Sequence, residues 1–156
     1  MEFTKATKQD CLQADNIIRE RQQWFIDNNI PQWHTITDHY HYDYYLSQVD
    51  NMYVLKNNQQ LIAYCLVFFE DKFWQDDQDS IYIHSFVSRL GSKGNCKIFI
   101  DNLCKIFKDK KYIRIDCLGS SKKLTNIYYE QGFELVQTKL YDDGSEAALL
   151  QKQIKQ

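Results

Sequence analysis

A chain of 156 residues is long enough for one domain, which at this size buries roughly two thirds of the surface of its unfolded state. With 44% hydrophobic and 15% aromatic residues, its composition excludes an intrinsically disordered protein. The formal net charge of -2 provides no basic field of the kind that nonspecific nucleic-acid-binding proteins use, so we expect no nucleic-acid partner.

The chain begins MEFTKATKQD, without the apolar segment of a secretion signal, and its longest apolar run, LIAYCLVFF, is too short to cross a bilayer. We therefore expect a cytoplasmic protein with no membrane partner. The 5 cysteines form no Cys-x-x-Cys pair and lie mostly in apolar segments, which favours reduced core residues. No Gly-, Ser- or Pro-rich linker divides the chain, so we expect a single domain over residues 1–156.

The first half of the chain predicts a strand, two helices and a hairpin. FTKA reads as a short strand, and apolar residues then recur near helical spacing, which predicts a helix from about Asp10 to Asn28 that ends before Pro31. HYHYDYYLSQV predicts a second, shorter helix. MYVL and LIAYCLVFF predict two strands joined through KNNQQ.

The second half predicts two strand-to-helix passages and a closing hairpin. The segment from Cys96 to Lys108 predicts an amphipathic helix, YIRIDCL a strand, and SSKKLTNIYYEQ a helix that begins at a serine cap and ends before Gly132. FELVQTKLY and EAALLQKQI, joined by DDGS, predict a hairpin. SIYIHSFV predicts a strand with two different faces, one of Ile81, Ile83, Ser85 and Val87 and the other of Tyr82, His84 and Phe86. This order of elements predicts a mixed α/β fold.

The loop RLGSKGNCK, residues 89–97, leads from that strand into the amphipathic helix. Such a loop presents backbone N–H groups and the positive end of a helix dipole, which suit a pyrophosphate. Gly91 and Gly94 match neither the dinucleotide pattern nor the P-loop pattern, so the loop alone favours a plain turn. In IYYEQGF, taken in isolation, Gly132 is better explained as a helix cap and Tyr128 as a packing residue.

The pieces are more specific in combination. A strand, a glycine loop, a helix, the strand YIRIDCL and a helix with Tyr-x-x-x-Gly-Phe resemble the GNAT superfamily of N-acetyltransferases, particularly its small bacterial members. The resemblance runs from about Met1 to Ile154. It implies a largely antiparallel sheet of six to seven strands, flanked by about four helices, with a V-shaped splay between the two central strands.

The resemblance also implies an acetyl-CoA site without a metal. The pantetheine arm would lie between SIYIHSFV and YIRIDCL, and RLGSKGNCK would hold the pyrophosphate, although its first and last positions depart from the family pattern. The implied cofactor-binding residues are Phe86, Val87, Arg89, Gly91, Ser92, Lys93, Gly94, Asn95, Cys96 and Ser121.

Acetyl transfer from a thioester needs a neutral amine, an oxyanion donor and a proton for the leaving thiolate. By resemblance, Tyr128 is the general acid, and a backbone N–H near Phe86 and Val87 is the oxyanion donor. His84 is a candidate base because imidazole titrates near neutrality, while a structural histidine is the alternative. Glu70 and Asp71 are rival bases if they do not simply begin a solvated loop.

The acidic stretch EDKFWQDDQD either attracts a cationic amine, through Glu70 and Trp74, or forms a solvated loop. The resemblance implies that Trp33 and His34 border the acceptor site. The histidines of WHTITDHYHYD have no recognisable zinc spacing, so we expect no metal. Cys96, at a helix N-terminus, is a candidate for a thiol of lowered pKa that carries an acyl group or senses redox state.

The sequence thus predicts an N-acyltransferase that moves an acetyl group from acetyl-CoA to a primary amine of a small molecule or peptide. Direct attack in a ternary complex is expected. The altered loop motivates an alternative, a degenerate GNAT-like module that binds acyl-CoA or a protein partner without turnover. A purely structural protein is the third hypothesis, and the resemblance allows a homodimer.

Overall fold

The computed structural model describes residues 1–92 and 94–154. Seven strands form one sheet in the order β1-β2-β3-β4-β5-β7-β6, and four α-helices flank it in the described part of the chain. The strands are β1 (Glu2–Lys5), β2 (Met52–Asn57), β3 (Gln60–Phe68), β4 (Ser80–Ser88), β5 (Tyr112–Leu118), β6 (Glu134–Leu140) and β7 (Glu146–Gln153). The helices are α1 (Lys8–Asp27), α2 (Tyr42–Ser47), α3 (Asn95–Ile106) and α4 (Lys122–Glu130).

These elements confirm the predicted mixed, mostly antiparallel α/β fold. β1 pairs antiparallel with β2, β2 with β3, β5 with β7 and β6 with β7, while β4 and β5 are parallel. Two short 3₁₀ helices, Ile36–Asp38 and Val49–Asn51, were not predicted. The splay between the two central strands stays a prediction.

Local sequence explains several element boundaries. Helix α1 begins two residues before its predicted start because Thr7 and Asp10 cap it reciprocally: Thr7 N donates to Asp10 Oδ2 at 2.8 Å and Asp10 N donates to Thr7 Oγ1 at 3.4 Å. The β2–β3 turn consists of Asn58 and Gln59, both with positive φ, as a two-residue hairpin favours. Ser121 caps α4, and its Oγ accepts from Leu124 N at 3.3 Å.

The chain forms two compact units, one of Met1–Leu66 and Ser85–Asn95 and the other of Val67–His84 and Cys96–Gln156. In the first, buried residues of α1, including Ala14, Ile17 and Ile18, contribute to a core with apolar residues of β2 and β3. In the second, the core includes Phe99 and Leu103 of α3 together with the apolar residues of β5 and β7. The single-domain prediction is not tested by this division.

Candidate functional site

The carboxyl ends of the parallel strands β4 and β5 place two titratable residues in corresponding positions. Ser80–Ile83 pair with Tyr112–Ile115, the last partners being Ile83 and Ile115. His84 and Asp116 follow directly in the two strands. Ligands bind open α/β sheets at the carboxyl ends of parallel strands, so these two residues are where a site is expected.

Asp71, from the connection between β3 and β4, lies against His84. Its Oδ2 is 2.7 Å from His84 Nε2, and the side chains of Asp71 and His84 are 5% and 29% exposed. Nε2 is buried, and the contact is short without the alignment of a regular hydrogen bond to a described residue. Burial opposes ionisation of Asp71, but His84 and the N–H of Phe73, 2.9 Å from Oδ1, together hold the pKa of Asp71 below its ordinary value. Asp71 is therefore a buried carboxylate.

Asp116 differs from Asp71 in its protonation behaviour. Burial raises the pKa of Asp116, and the charge of Asp71 adds to the shift, while Tyr141 and His84 oppose it. The Tyr141 hydroxyl donates to Asp116 Oδ2 at 2.7 Å. Burial and the charge of Asp116 in turn raise the pKa of Tyr141. His84 thus belongs to a cluster with two carboxyl groups of unequal acidity and a phenol that remains protonated.

Residues 70–79 are mostly exposed, as expected of a solvated acidic loop, and are also held by specific contacts. Arg114 on β5, whose side chain is 2% exposed, donates from Nη1 and Nη2 to the two carboxylate oxygens of Asp76 at 2.8 Å each. The ring of Trp74 lies against the same guanidinium, with 4.3 Å between the ring centroid and Cζ. Lys110 Nζ contacts Asp79 Oδ1 at 2.8 Å. The loop that carries Asp71 is thus fastened on both sides of Trp74.

Ser85, which follows His84 in β4, has an irregular backbone conformation. Its φ of 55° lies in the left-handed region, which is uncommon for a non-glycine residue within a strand. The alternation predicted for SIYIHSFV therefore has an irregularity at Ser85, and the first half of the strand is covered on both faces, because Ile81, Tyr82 and Ile83 are all buried. Of the residues predicted near the acetyl group, Val87 is buried and Phe86 is half-buried.

A chain of buried hydroxyl groups accompanies this irregularity. Tyr64 OH donates to the carbonyl of Ala14 at 3.3 Å, so it accepts from Tyr45 OH at 2.6 Å. Ser85 Oγ lies 3.5 Å from Tyr45 OH, at the limit of a hydrogen bond. Burial raises the pKa of Tyr45 to about 12, so this chain remains protonated at neutral pH. The buried tyrosines thus connect the Ser85 segment to α1.

The predicted pyrophosphate loop is an ordered turn in its described part. Arg89 N donates to Ile62 O at 2.7 Å and Arg89 Nε to Leu61 O at 2.9 Å, so its guanidinium is committed in part to the protein itself. Ser92 Oγ donates to Arg89 O at 2.6 Å. Gly91 and Gly94 both have positive φ, a conformation that glycine adopts without strain. Lys93 lies outside the described residues.

Asn95, the first residue of α3, is the unusual member of this loop. It is 4% exposed, and its Nδ2 has no hydrogen-bond partner among the described residues. An unpartnered buried donor is costly, and a bound acceptor would remove that cost. The next residue, Cys96, contradicts the expected reactive thiol, because burial raises its pKa to about 11.

The structure brings the other predicted residues to several places. Tyr128 is buried in α4 and packs against Phe133, with 5.5 Å between ring centroids, and Ser121 is the α4 cap. Trp33 packs against Phe25 at 5.8 Å. The remaining predicted acceptor residues differ in exposure: His34, with its Nε2 2.6 Å from Ile30 O, and Glu70 are exposed, while Trp74 is 6% exposed. Their predicted roles stay predictions.

Sequence reasoning missed Asp116 and Tyr141. A signal was present for Asp116, since IYIH and IRID have the same pattern and end in His84 and Asp116 once the strands are aligned in parallel. Tyr141 follows β6 and gave no such signal. Within residues 1–92 and 94–154, no group of three or more His, Cys, Asp or Glu side chains is arranged to hold a metal ion. The same residues include no helix with the length and apolar character needed to span a bilayer.

Comparison with known proteins gives matches only at the level of structure. No protein-family model matches the chain, and no curated protein matches its sequence. A GNAT-family acetyltransferase from Streptococcus agalactiae aligns with a TM-score of 0.83 at 15% identity, over 97% of this chain and 94% of that one. One from Listeria monocytogenes aligns with a TM-score of 0.77 at 17% identity, over the same shares.

The Escherichia coli ribosomal-protein-S18-alanine N-acetyltransferase is similar with a TM-score of 0.65 at 13% identity, over 99% of this chain and 94% of that one. Identities this low establish a shared fold and no shared substrate. The chain described here has the fold of the GNAT-family acetyltransferases.

Proposed function

We propose that the protein is an acetyl-CoA-dependent N-acyltransferase that acetylates a primary amine of a small molecule or peptide. The observation that carries the proposal is the position of His84. It directly follows the part of β4 that pairs in parallel with β5, contacts a buried carboxylate at 2.7 Å, and does so in a fold shared with acetyltransferases. A partly exposed imidazole in that position suits the deprotonation of an amine.

The proposed reaction is direct attack within a ternary complex. Acetyl-CoA supplies the activated thioester carbonyl. His84 removes a proton from the attacking amine, backbone N–H groups near Phe86 and Val87 bind the developing oxyanion, and Tyr128 gives a proton to the departing thiolate. A phenol suits the last role, because its ordinary pKa of about 10 lets it donate a proton to sulfur without ionising first.

The proposed cofactor contacts lie in the loop before α3. The unpartnered Nδ2 of buried Asn95 suits a pyrophosphate oxygen, and the positive φ values of Gly91 and Gly94 let the backbone turn closely around an anion. Ser92 and Arg89 would support the loop more than they would bind the pyrophosphate, since Ser92 Oγ already bonds to Arg89 O and Arg89 Nε to Leu61 O on β3. The cytoplasmic location and the homodimer stay predictions.

A thiol-release assay tests the function. The purified protein is incubated with acetyl-CoA and separate pools of diamines, arylalkylamines, amino sugars and N-terminal peptides, and free CoA is measured. We expect release above hydrolysis with at least one pool, reduced in Tyr128→Phe and unchanged in Tyr129→Phe, an exposed neighbour on the same helix. If acetyl-CoA binds but no pool leads to release of CoA, the result would favour the degenerate module that binds acyl-CoA without turnover. The altered loop is the feature that suggests this alternative.

A further inference from the structure

We propose that Asp71 is a positioning residue that fixes the tautomer of His84, with the proton on Nε2 and the basic lone pair on Nδ1. This inference rests on the proposed function for its catalytic meaning. The assignment of the tautomer itself does not depend on that function.

The first step is the distance of 2.7 Å between Nε2 and Asp71 Oδ2. Two lone pairs repel at this separation, so Nε2 carries a proton on the side of the Asp71 carboxylate, although the two groups are not aligned for a regular hydrogen bond. The other carboxylate oxygen already accepts from Phe73 N at 2.9 Å, and the lowered pKa of Asp71 places it in the ionised form. The proton therefore resides on Nε2.

The second step is the orientation of the ring. The aromatic ring of Phe68 packs edge-on against His84, with 5.0 Å between centroids and an angle of 89°. Nε2 is buried while 29% of the side chain is exposed, so the exposed surface belongs to other atoms of His84. A ring held in this way has one nitrogen committed to Asp71, and Nδ1 is left to accept a proton.

The third step is the fate of that proton. As the amine nitrogen bonds to the acetyl carbon, its proton passes to Nδ1, the C–S bond breaks, and the sulfur leaves with the electron pair and takes a proton from the general acid. The imidazolium then carries a positive charge beside the Asp71 carboxylate. The other titratable groups that face this cluster are Asp116 on β5, Tyr141 after β6 and Lys72 in the loop.

The substitution Asp71→Asn tests the inference at constant size. The N–H of Phe73 requires an acceptor, so the amide oxygen takes the place of Oδ1 and the amide NH₂ faces Nε2. A donor there reverses the tautomer and puts the proton on Nδ1. Asp77→Asn, the same change at an exposed carboxylate of the same loop, is the matched control.

The tautomer is read directly from long-range ¹H–¹⁵N spectra of the imidazole rings at a pH where they are neutral. The protein has 4 histidines, and the signals of His84 are those lost in His84→Gln. We expect the Nε2–H pattern in the wild type and Asp77→Asn, and the Nδ1–H pattern in Asp71→Asn. An Nδ1–H pattern in the wild type, or no change in folded Asp71→Asn, overturns the inference.

The kinetic readout separates this inference from the proposed function. With an active acceptor, Asp71→Asn should lower kcat by about 10²-fold to 10⁴-fold while the KM for acetyl-CoA stays unchanged. Unchanged kcat in a variant whose tautomer has reversed overturns the positioning role. Absence of turnover in a wild type with the expected spectrum contradicts the proposed function and leaves the tautomer assignment standing.

Discussion

At the residue scale, the environment of His84 decides what this histidine can do. Its Nε2 is buried against Asp71, and Asp116 occupies the corresponding position of the neighbouring strand. The sequence predicted the histidine as a base because of its residue type and its strand. It could not show that Asp71 is a partner and not a rival base, because the contact joins residues that are 13 positions apart through an irregular loop.

Replacement of His84, the proposed base, should lower the rate of acetyl transfer and leave the affinity for acetyl-CoA unchanged. In His84→Gln we expect kcat/KM to fall by about 10²-fold to 10⁴-fold, because a positioned general base contributes on that order. The affinity for acetyl-CoA, measured by calorimetry, should stay within about twofold. His41→Gln, the same change in a histidine outside the proposed site, is the control. Full activity in His84→Gln would show that another group takes the proton.

Cys96 should be a slow nucleophile. Because burial raises the pKa of its thiol to about 11, we expect iodoacetamide to label Cys96 in the folded protein more slowly than in urea, with a rate that climbs with pH through the alkaline range. Peptide mass spectrometry over a time course gives the rate for each cysteine. Labelling of Cys96 at the rate of the unfolded chain at pH 7 would contradict its burial. The sequence alone suggested a lowered pKa, because a helix N-terminus is visible in a sequence and burial is not.

At the element scale, the sequence pattern predicts that β4 and its neighbours are strands, but it does not predict the irregular backbone within β4 or the contacts of the β3–β4 connection. The sequence predicted nearly every strand and helix, and YIRIDCL matches β5 residue for residue. The positive φ of Ser85 was not predictable, because serine is not a residue that usually marks this conformation. The Arg114–Asp76 contact was likewise hidden, since it joins residues from different elements.

The conformation of Ser85 predicts opposite effects for two substitutions. Ser85→Gly should retain the stability of the wild type within about 1 kcal/mol, since glycine adopts a positive φ without strain. Ser85→Val should lower the free energy of unfolding by about 1–3 kcal/mol, because a β-branched residue is strained there. Urea denaturation measures both. Equal stability of the two variants would contradict the assigned backbone conformation.

Arg114 holds the loop of residues 70–79 through Asp76, so we expect faster amide hydrogen exchange in this loop when Asp76 is replaced by a neutral residue. In Asp76→Asn we expect the amides of residues 71–79 to exchange about tenfold faster, a modest change because Asp76 is partly exposed. Asp77→Asn should match the wild type. Exchange in both variants at the wild-type rate would show that Arg114 does not hold the loop.

The same pair has a defined pH dependence. The hydrogen bonds from Arg114 hold the pKa of Asp76 below its ordinary value of 3.8, so its ionised form stabilises the fold above that pH. The contribution is lost as the pH falls through the lowered pKa. The difference in Tm between the wild type and Asp76→Asn should therefore be largest near neutrality and shrink below about pH 4. A difference that grows on acidification would contradict this sign.

At the scale of the whole molecule, this chain shares its fold with proteins whose sequences differ from it at most positions. The similar structures share 13–17% identity with this chain and align over 97–99% of it. This is expected if the fold depends on apolar periodicity and turn chemistry, which many sequences satisfy. The substrate depends on particular side chains, so the acceptor amine does not follow from the fold.

The central claim, that this fold still uses acetyl-CoA, is tested most directly by isothermal titration. The purified protein is titrated with acetyl-CoA, with CoA and with S-acetyl-pantetheine, which lacks the nucleotide and the pyrophosphate. We predict saturable binding of acetyl-CoA and CoA with Kd below about 1 mM, and at least tenfold weaker binding of the pantetheine compound, equivalent to about 1.4 kcal/mol or more. The claim would be contradicted if neither acetyl-CoA nor CoA gave a heat of binding at concentrations several times higher than this Kd. The next experiment would then be a search for a protein partner.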